Sequence, residues 1–375
     1  MDLRTDDALG NSILNVEIIF GWLQSFLPDS LAWPVAGFVV AFFVINMVIT
    51  ATALYTWFER RALGRFQSRL GPNRWGPFGI LQPVADVVKL LVKEDTVPDT
   101  ADRPVFHLAP IVMLVPPLLV FAIIPMGSDS FLGSLNIGVL FVIGITGLST
   151  LGIFMAGWAS RNKYAIFGAT RAVAMLISYE VPMALGAAGV VIMSESMALT
   201  DIVDGQSLIY LVSQPMGFLV FMIAASAEMS RAPFDMVEAE SELGAGFTTE
   251  YSGIKFAIFF LAEFMAPLVI ATVTTVLYLG GTRGPDQIPG QILMIAKIFA
   301  VVCFLLWIRA TWPRLRVDQI MGFAWKGLFP MAIFNLFLIA VEVQIFQDPV
   351  SGFIETRDLW IMAAVNWPVT FASII

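Results

Sequence analysis

Cysteine, histidine and charged residues are all scarce in this chain. Its 375 residues include one cysteine, Cys303, and one histidine, His107. A disulfide framework, a cysteine-ligated iron–sulfur cluster and a structural zinc site each need several such residues, so we expect the chain alone to form none of them. Nucleotide-binding glycine motifs are also missing, which argues against a nucleotide site. The net charge of −8 argues against binding nucleic acid.

Hydrophobic residues, by contrast, are abundant. They make up 58% of the chain, and the mean hydropathy is +0.82. This composition predicts an all-α polytopic membrane protein. Eight apolar runs are long enough to span a membrane: Leu31–Trp57, Ala109–Pro125, Ile137–Trp158, Ala172–Met193, Leu208–Ala227, Ile254–Leu279, Ile292–Ile308 and Leu328–Phe346. A ninth candidate, Leu359–Ile375, is weakened by Asn366 and Pro368.

The spans define a single membrane domain with two extensions. We expect an interfacial extension over residues 1–30, within which 11–27 are amphipathic, and a C-terminal extension over 347–375. The membrane domain covers 31–346, with its main loops at 58–108, 159–171, 228–253 and 309–327. These loops hold most of the 21 lysines and arginines. The positive-inside rule therefore predicts that they face the cytoplasm.

The first of these loops combines arginines with glycines and prolines. Such a composition predicts tight turns. Pro83 then suits the first turn of a helix. That helix carries an apolar face typical of a membrane surface: Leu81, Val84, Val88, Leu91 and Val92. The arginines either anchor lipid head groups or bind a carbonyl, phosphate or carboxylate partner.

The third loop is crowded with carboxylates. Between Glu228 and Glu250 lie six carboxylates and a single arginine, Arg231. If residues 235–242 are helical, Asp235, Glu238 and Glu242 share a face and titrate as coupled groups. Further acids lie inside the predicted spans: Glu180, Glu263 and Glu342. Carboxylates at membrane depth tend to hold protons, so this pattern predicts proton handling.

Three motifs carry a resemblance to a known family. The first is Glu59-Arg-Arg with Arg69-Leu-Gly-Pro-Asn and the Gly79–Leu90 segment; the second joins Gly157–Ala165 to Ser178-Tyr-Glu180; the third joins Arg231-Ala-Pro-Phe-Asp235 to Glu238-Ala-Glu-Ser-Glu242. The chain resembles the H subunit (subunit 1 in mitochondria) of respiratory complex I, the proton-pumping NADH:quinone oxidoreductase. Two positions depart from the family pattern. Ala239 replaces a usual glycine and Met175 a usual glutamine, and both changes keep the acids.

The resemblance implies a membrane subunit that helps form a quinone chamber and couples quinone reduction to proton translocation. It implies chamber or gating roles for Glu59, Arg60, Arg69, Asp86, Lys89, Arg231, Phe234 and Asp235. It implies a charge relay through Glu180, Glu228, Glu238, Glu240, Glu242, Glu250 and Glu263. Quinone would be a substrate shared with peripheral subunits, one carrying the terminal iron–sulfur cluster, while this chain would hold no metal, flavin or cluster. Small and antiporter-like membrane subunits would be further partners, in the lipid bilayer of the bacterial cytoplasmic (inner) membrane.

Two other functions stay open on the residues alone. A homologous subunit of a hydrogenase-type or ferredoxin-linked complex would keep the fold and lose NADH or quinone, and a nickel-binding partner would identify it. A stand-alone proton or cation transporter also uses intramembrane carboxylates. Transporters commonly contain inverted repeats, however, and none is evident here. A purely structural anchor has no need of Glu180 and Glu263 in its spans.

Overall fold

The computed structural model describes residue 24 and residues 28–126, 135–237, 244–285, 287–346 and 354–374. Within these ranges the regular secondary structure is helical and contains no strand. The predicted all-α polytopic class is confirmed. The predicted interfacial segment 11–27 lies outside the described residues, apart from Gln24.

The helices differ widely in length. In chain order they are α1 (Asp29–Phe66), α2 (Gln82–Val92), α3 (Arg103–Ile123), α4 (Gly138–Ala159), α5 (Lys163–Ser194), α6 (Leu199–Gly205), α7 (Tyr210–Ser213), α8 (Pro215–Glu228), α9 (Gly253–Tyr278), α10 (Gly290–Thr311), α11 (Val317–Phe323), α12 (Phe329–Phe346) and α13 (Thr356–Ile374). A π-helical turn at Ala324–Leu328 joins α11 to α12. Seven segments of the described chain are long and apolar enough to cross a membrane: α1, α3, α4, α5, α9, α10 and the continuous α11–α12 stretch. Each of the seven overlaps a predicted span.

The remaining predicted span, Leu208–Ala227, is not one helix. The structure divides it at Gln214 into the single turn α7 and the 14-residue α8. Pro215 explains the division, because proline lacks an N–H to donate within a helix yet suits the first helical turn. A 14-residue helix is about 21 Å long, shorter than the roughly 30 Å hydrocarbon core. Helix α8 alone is therefore too short to span the membrane.

The first helix is longer than predicted. The apolar run ends at Trp57, but α1 continues to Phe66 because the next residues favour helix and their charges find partners. Glu59 and Arg60 therefore lie on the last turns of a helix, and the prediction that a loop begins at Phe58 is wrong.

The ninth candidate segment is helical. Helix α13 packs against α7, α8 and α12 and buries Leu359 and Met362 between them. Because of its polar residues, α13 is not one of the seven segments that are long and apolar enough to cross a membrane.

Close helix contacts depend on glycine in the α3–α4–α5 layer. A Cβ atom added to Gly152 would lie 2.9 Å from backbone and side-chain atoms of Met113, and one added to Gly157 would lie 2.3 Å from the Cβ atom of Ala169. Small residues of this kind let membrane helices approach closely. Helix α9 packs against α3 and α10 and completes the core that holds the site.

The segment after α8 is irregular. Residues Arg231–Val237 form turns, in which the Phe234 N–H donates to the Arg231 carbonyl at 2.8 Å. The described residues 235–237 are therefore not helical, and Asp235 does not share a helical face with Glu238 and Glu242 as predicted. Glu238, Glu240 and Glu242 lie outside the described residues.

Candidate functional site: buried charges beside an apolar cleft

Four charged side chains meet at the loop-bearing end of the bundle. Arg231 donates through Nη1 to Glu59 Oε1 at 2.7 Å, and its Nη2 lies 2.9 Å from Glu263 Oε1. Arg309 also pairs with Glu59. Glu59 and Arg231 are 2% and 5% exposed. We call Glu59, Arg231, Glu263 and Arg309 the central ion cluster.

The central ion cluster joins four separate segments: α1, the loop after α8, α9 and α10. Two carboxylates and two guanidinium groups make it formally neutral, which lowers the cost of burying it. The Arg231 guanidinium also lies 4.0 Å from the centre of the Phe264 ring, within the range of a cation–π interaction. Removal of one member would leave an uncompensated buried charge.

A second, more exposed set of contacts lies one residue away on α1. Arg60 Nη1 is 2.5 Å from Asp86 Oδ2, and Gln82 donates to Asp86 Oδ1 at 3.2 Å. Lys89 lies 3.9 Å from the same carboxylate. These contacts fasten the amphipathic helix α2 to α1. The apolar face of α2 stays exposed within this chain, at 58% for Val84 and 57% for Leu91.

A cleft of about 780 Å³ opens beside the end of α1. Its wall combines aromatic, aliphatic and basic groups: Trp57, Phe58, Arg61, Ala62, Arg65, Phe66, Phe78, Cys303 and Leu306. Arg61 is held in place, because its Nη1 donates to the Phe78 carbonyl at 2.7 Å and its guanidinium lies over the rings of Trp57 and Phe78. The Trp57 indole N–H donates to the same carbonyl at 3.1 Å.

An apolar groove of about 520 Å³ adjoins this cleft and shares Trp57 and Phe58 with it. The groove runs along α1 and α10 and is lined almost wholly by hydrophobic side chains, including Met47, Leu54 and Phe299. A hydrophobic molecule could pass from the groove into the cleft without crossing a charged surface.

Two carboxylates line a small cavity behind the central ion cluster. Glu263 and Glu228 share a cavity of about 70 Å³ with Thr146 and Ser149. Glu228 and Thr146 also line a second cavity of about 30 Å³ that extends towards Leu277. Glu263 thus belongs both to the ion cluster and to this cavity.

Glu180 faces α4 where that helix has no side chain. A Cβ atom added to Gly147 would lie 2.6 Å from Glu180 Oε1. The Glu180 carboxyl is near enough to Glu228 for the two to interact electrostatically. The structure therefore brings Glu180, Glu228 and Glu263 into one series of neighbouring acids.

Glu250 lies apart from that series, in the third loop. Its Oε1 accepts from Asn162 Nδ2 at 2.7 Å, and Asn162 also caps the start of α5. The next residue, Tyr251, stacks on Phe106 with ring centres 4.0 Å apart. Burial raises the pKa of the Tyr251 hydroxyl, which stays protonated and donates to the Phe106 carbonyl at 3.3 Å.

Other predicted chamber residues fall at the edge of the cluster or away from it. Phe234 is buried against Tyr179, with ring centres 5.2 Å apart, and Asp235 beside it is half-buried. Arg69 is exposed and donates to Gln67 at 2.6 Å, outside the cluster.

Arg309 and Lys255 are two buried or partly buried cations of the site that no sequence motif marks. Arg309 ends an apolar run, so it was assigned only to the positive loops. Lys255 reaches back to Asp95 at 2.8 Å and ties α9 to the first loop. In the sequence, the signal that marks Lys255 is a lysine at the start of an apolar span. In the structure this lysine is buried, at 6% exposure.

No group of three or more histidine, cysteine or acidic side chains in the described part of the chain is arranged to hold a metal ion. The fold and these contacts define a polytopic helical membrane protein with buried, partly paired carboxylates next to an apolar cleft.

The family model described as NADH dehydrogenase matches residues 39–340, and the chain belongs to that family. The family expected from the motifs is confirmed. Two relatives are each named as the H subunit of NADH-quinone oxidoreductase. The one from Dehalococcoides mccartyi is 48% identical over 81% of this chain and 86% of its own length. The one from Bacillus cytotoxicus is 42% identical over 86% of this chain and 99% of its own length. A third relative of the same name, from Geobacillus kaustophilus, is 48% identical over 76% of this chain and 86% of its own length.

Proposed function

We propose that this chain is the H-type membrane subunit of an NADH-quinone oxidoreductase. In this role it forms the membrane side of the quinone site and passes the charge change of quinone reduction to carboxylates between its helices. The names of the relatives favour this function over the hydrogenase-type alternative. We place the protein in the bacterial cytoplasmic membrane with its major loops in the cytoplasm, among the peripheral and antiporter-like subunits of the complex.

One observation carries the proposal. Glu263 pairs with Arg231 in the central ion cluster and, on the other side, lines a cavity with Glu228. A single carboxylate therefore connects the charges beside the cleft with the acids inside the bundle. An electrical change at the cleft can reach Glu228 through this one contact.

The cleft suits a quinone. An apolar groove accommodates a hydrophobic tail, and aromatic rings at Trp57 and Phe78 accommodate a flat head group. Arg61 and Arg65 supply N–H donors for the carbonyl oxygens of the head group. Asp86 and the α2 helix lie at the same end, where a peripheral subunit would cover the cleft.

Reduction takes the quinone, two electrons and two protons to the quinol. The electrons come from the redox centre of a partner subunit, and negative charge develops on the head group before the protons arrive. That charge attracts the guanidinium groups of Arg231 and Arg309. As Arg231 shifts towards it, Glu263 loses a counter-charge, and its protonated form becomes favoured. Glu263 then takes a proton from the Glu228 side of the cavity.

Glu→Gln substitutions test this path. In the assembled complex we expect Glu228→Gln and Glu263→Gln each to lower quinone-linked NADH oxidation about tenfold, equivalent to about 1.4 kcal/mol of activation free energy. An artificial acceptor that takes electrons ahead of the quinone site should be reduced at the normal rate. Proton translocation into proteoliposomes should fall together with quinone reduction.

The exposed Glu355 provides a matched control, since Glu355→Gln removes the same charge outside the path. It should leave all three activities unchanged. Full quinone reduction with full proton translocation in both path variants would refute the proposed coupling. Loss of the artificial-acceptor activity as well would point to failed assembly, in which case subunit composition is checked by gel electrophoresis of the native complex.

A further inference from the structure

A second group of buried polar side chains lies towards the opposite end of the bundle. It comprises Gln214 at the α7–α8 break, Asn335 and Glu342 on α12, and Asn366 on α13. These residues are 0%, 2%, 5% and 2% exposed. Glu342 and Asn366 lie beyond residues 39–340, the part matched by the family model. None of the four belongs to the central ion cluster or to the series of acids joined to it.

Asn366 holds this group together. Its Nδ2 donates to Glu342 Oε2 at 2.9 Å and to the Ser213 carbonyl at 2.8 Å. The latter contact fastens α13 to the last residue of α7, where the helix break leaves carbonyl groups without helical partners.

Two oxygen atoms of the same pair have no hydrogen-bond partner among the described residues. They are Glu342 Oε1 and Asn366 Oδ1, and both are acceptors when Glu342 is ionised. An ionised carboxylate here would also lack an ion-pair partner among the described residues. Protonation of Glu342 removes the charge and supplies the missing donor.

We propose that Glu342 is a buried proton-binding site, held in its protonated form by Asn366. The carboxyl and the amide form a pair in which the Asn366 N–H donates to one carboxyl oxygen and the protonated carboxyl donates in return. Proton binding here does not depend on the redox role proposed for the central ion cluster.

The surrounding side chains fit water and a proton better than a metal cation. Gln214 Oε1, Asn335 Nδ2 and the Tyr278 hydroxyl converge on Gly217, within 3.0–3.5 Å of where its Cβ would be. In the part of the chain that the structure describes, both amide atoms of Gln214 and the Asn335 Nδ2 atom have no hydrogen-bond partner. Such a mixture of donors and acceptors suits bridging water molecules. A sodium or calcium ion needs a shell of oxygen atoms, and N–H donors pointing inwards would repel it.

The titratable groups near this site are few. Tyr278 on α9 lies beside Gln214 and Asn335, Tyr210 is buried on α7, and α13 contributes Asp358 and the 81% exposed Arg357 only at its outer end. Tyr210 also lines an outer cleft of about 420 Å³ whose acids are Glu195, Asp201 and Asp204. Met193 joins the two regions, since it lines the cleft and its Sδ lies 4.0 Å from Ser213 Oγ.

Infrared spectroscopy of the purified complex in sodium-free buffer near neutral pH tests the assignment. A protonated carboxyl has its own carbonyl-stretch band, distinct from that of a carboxylate. We expect Glu342→Gln to remove one such band, whereas the exposed control Glu355→Gln removes none. Asn366→Leu should move the band to higher frequency, because the hydrogen bond to the carboxyl is lost.

Two results would overturn the proposal. The first is a protonated-carboxyl region that is the same in Glu342→Gln and in the wild type, which would mean that Glu342 is ionised. The second is loss of the Glu342 band when sodium is added at constant pH, which would make the site a cation site. If Glu342→Gln does not assemble, Asn366→Leu decides the matter, and an unshifted band in that variant would equally count against the proposal.

Discussion

Replacement of Arg231 by methionine removes the residue that holds the central ion cluster together. Methionine keeps the approximate length and the apolar part of the side chain but loses the contacts to Glu59 at 2.7 Å and to Glu263 at 2.9 Å. The cluster changes from formally neutral to one excess negative charge. Breaking a buried pair in this way costs about 3–5 kcal/mol. With an unfolding entropy of about 2.1 cal/mol/K per residue, the 375-residue chain should lose about 4–6 °C in Tm.

The measurement is the thermal unfolding midpoint of the purified complex by intrinsic fluorescence. Arg357→Met is the control, because Arg357 is 81% exposed and such a surface pair contributes at most about 1 kcal/mol. The double variant Arg231→Met/Glu263→Gln restores a neutral cluster and should recover more than half of the lost stability. Equal midpoints for the Arg231 and Arg357 variants, or a double variant whose loss is simply the sum of the single losses, would show that the charges are not coupled.

Two further substitutions probe particular contacts. Gly147→Ala puts a Cβ 2.6 Å from Glu180 Oε1 and should lower proton translocation several-fold in proteoliposomes. Gly144→Ala is the control, because no atom lies within 4 Å of its Cβ, and it should not lower the rate. Equal rates for the two variants would exclude a role for Gly147 in positioning Glu180. Lys297→Met deletes three hydrogen bonds from Nζ to the carbonyls of Leu279, Gly281 and Arg283 and should cost about 3 kcal/mol, lowering Tm by about 4 °C. The exposed Lys163→Met serves as its reference, and an equal Tm for the two variants would show that these three hydrogen bonds of Lys297 do not stabilise the fold.

Much of the helical layout is predictable from the sequence, because the hydrocarbon core sets a minimum length for each apolar run. Hydropathy gives the wrong helix bounds where a helix is longer than its apolar run, or where an apolar run is divided into two helices. Helix α1 continues past Trp57 through charged residues whose partners come from distant segments, and a window over the local sequence cannot include those partners. The α7–α8 division fails for the opposite reason, since the run is apolar enough and only Gln214-Pro215 marks the break.

Sequence motifs identify the candidate site residues, but they do not predict how the side chains are arranged in space. The sequence assigned Glu59 and Arg231 to one chamber, but their 2.7 Å contact spans 172 positions and depends on how the loop after α8 packs against α1. Arg309 was missed because a basic residue at the end of a span equally well anchors a helix to the membrane surface. The partners of Glu342 lie on α13, a helix whose polar residues weakened its prediction as a span.

The carboxylates inside this bundle fall into two electrical environments, and under the proposed function that difference gives the charge path a direction. Glu59 and Glu263 face guanidinium groups, so their charge is balanced while the arginines stay in place. Glu228 faces a mainly apolar cavity, whose polar lining includes Thr146, Ser149 and the carboxyl of Glu263. Among the described acids, Glu263 stands at the boundary, because Arg231 is on one side and the Glu228 cavity on the other. In the proposed coupling, a displacement of Arg231 moves Glu263 from the first environment to the second, and the proton that compensates for this comes from the cavity side.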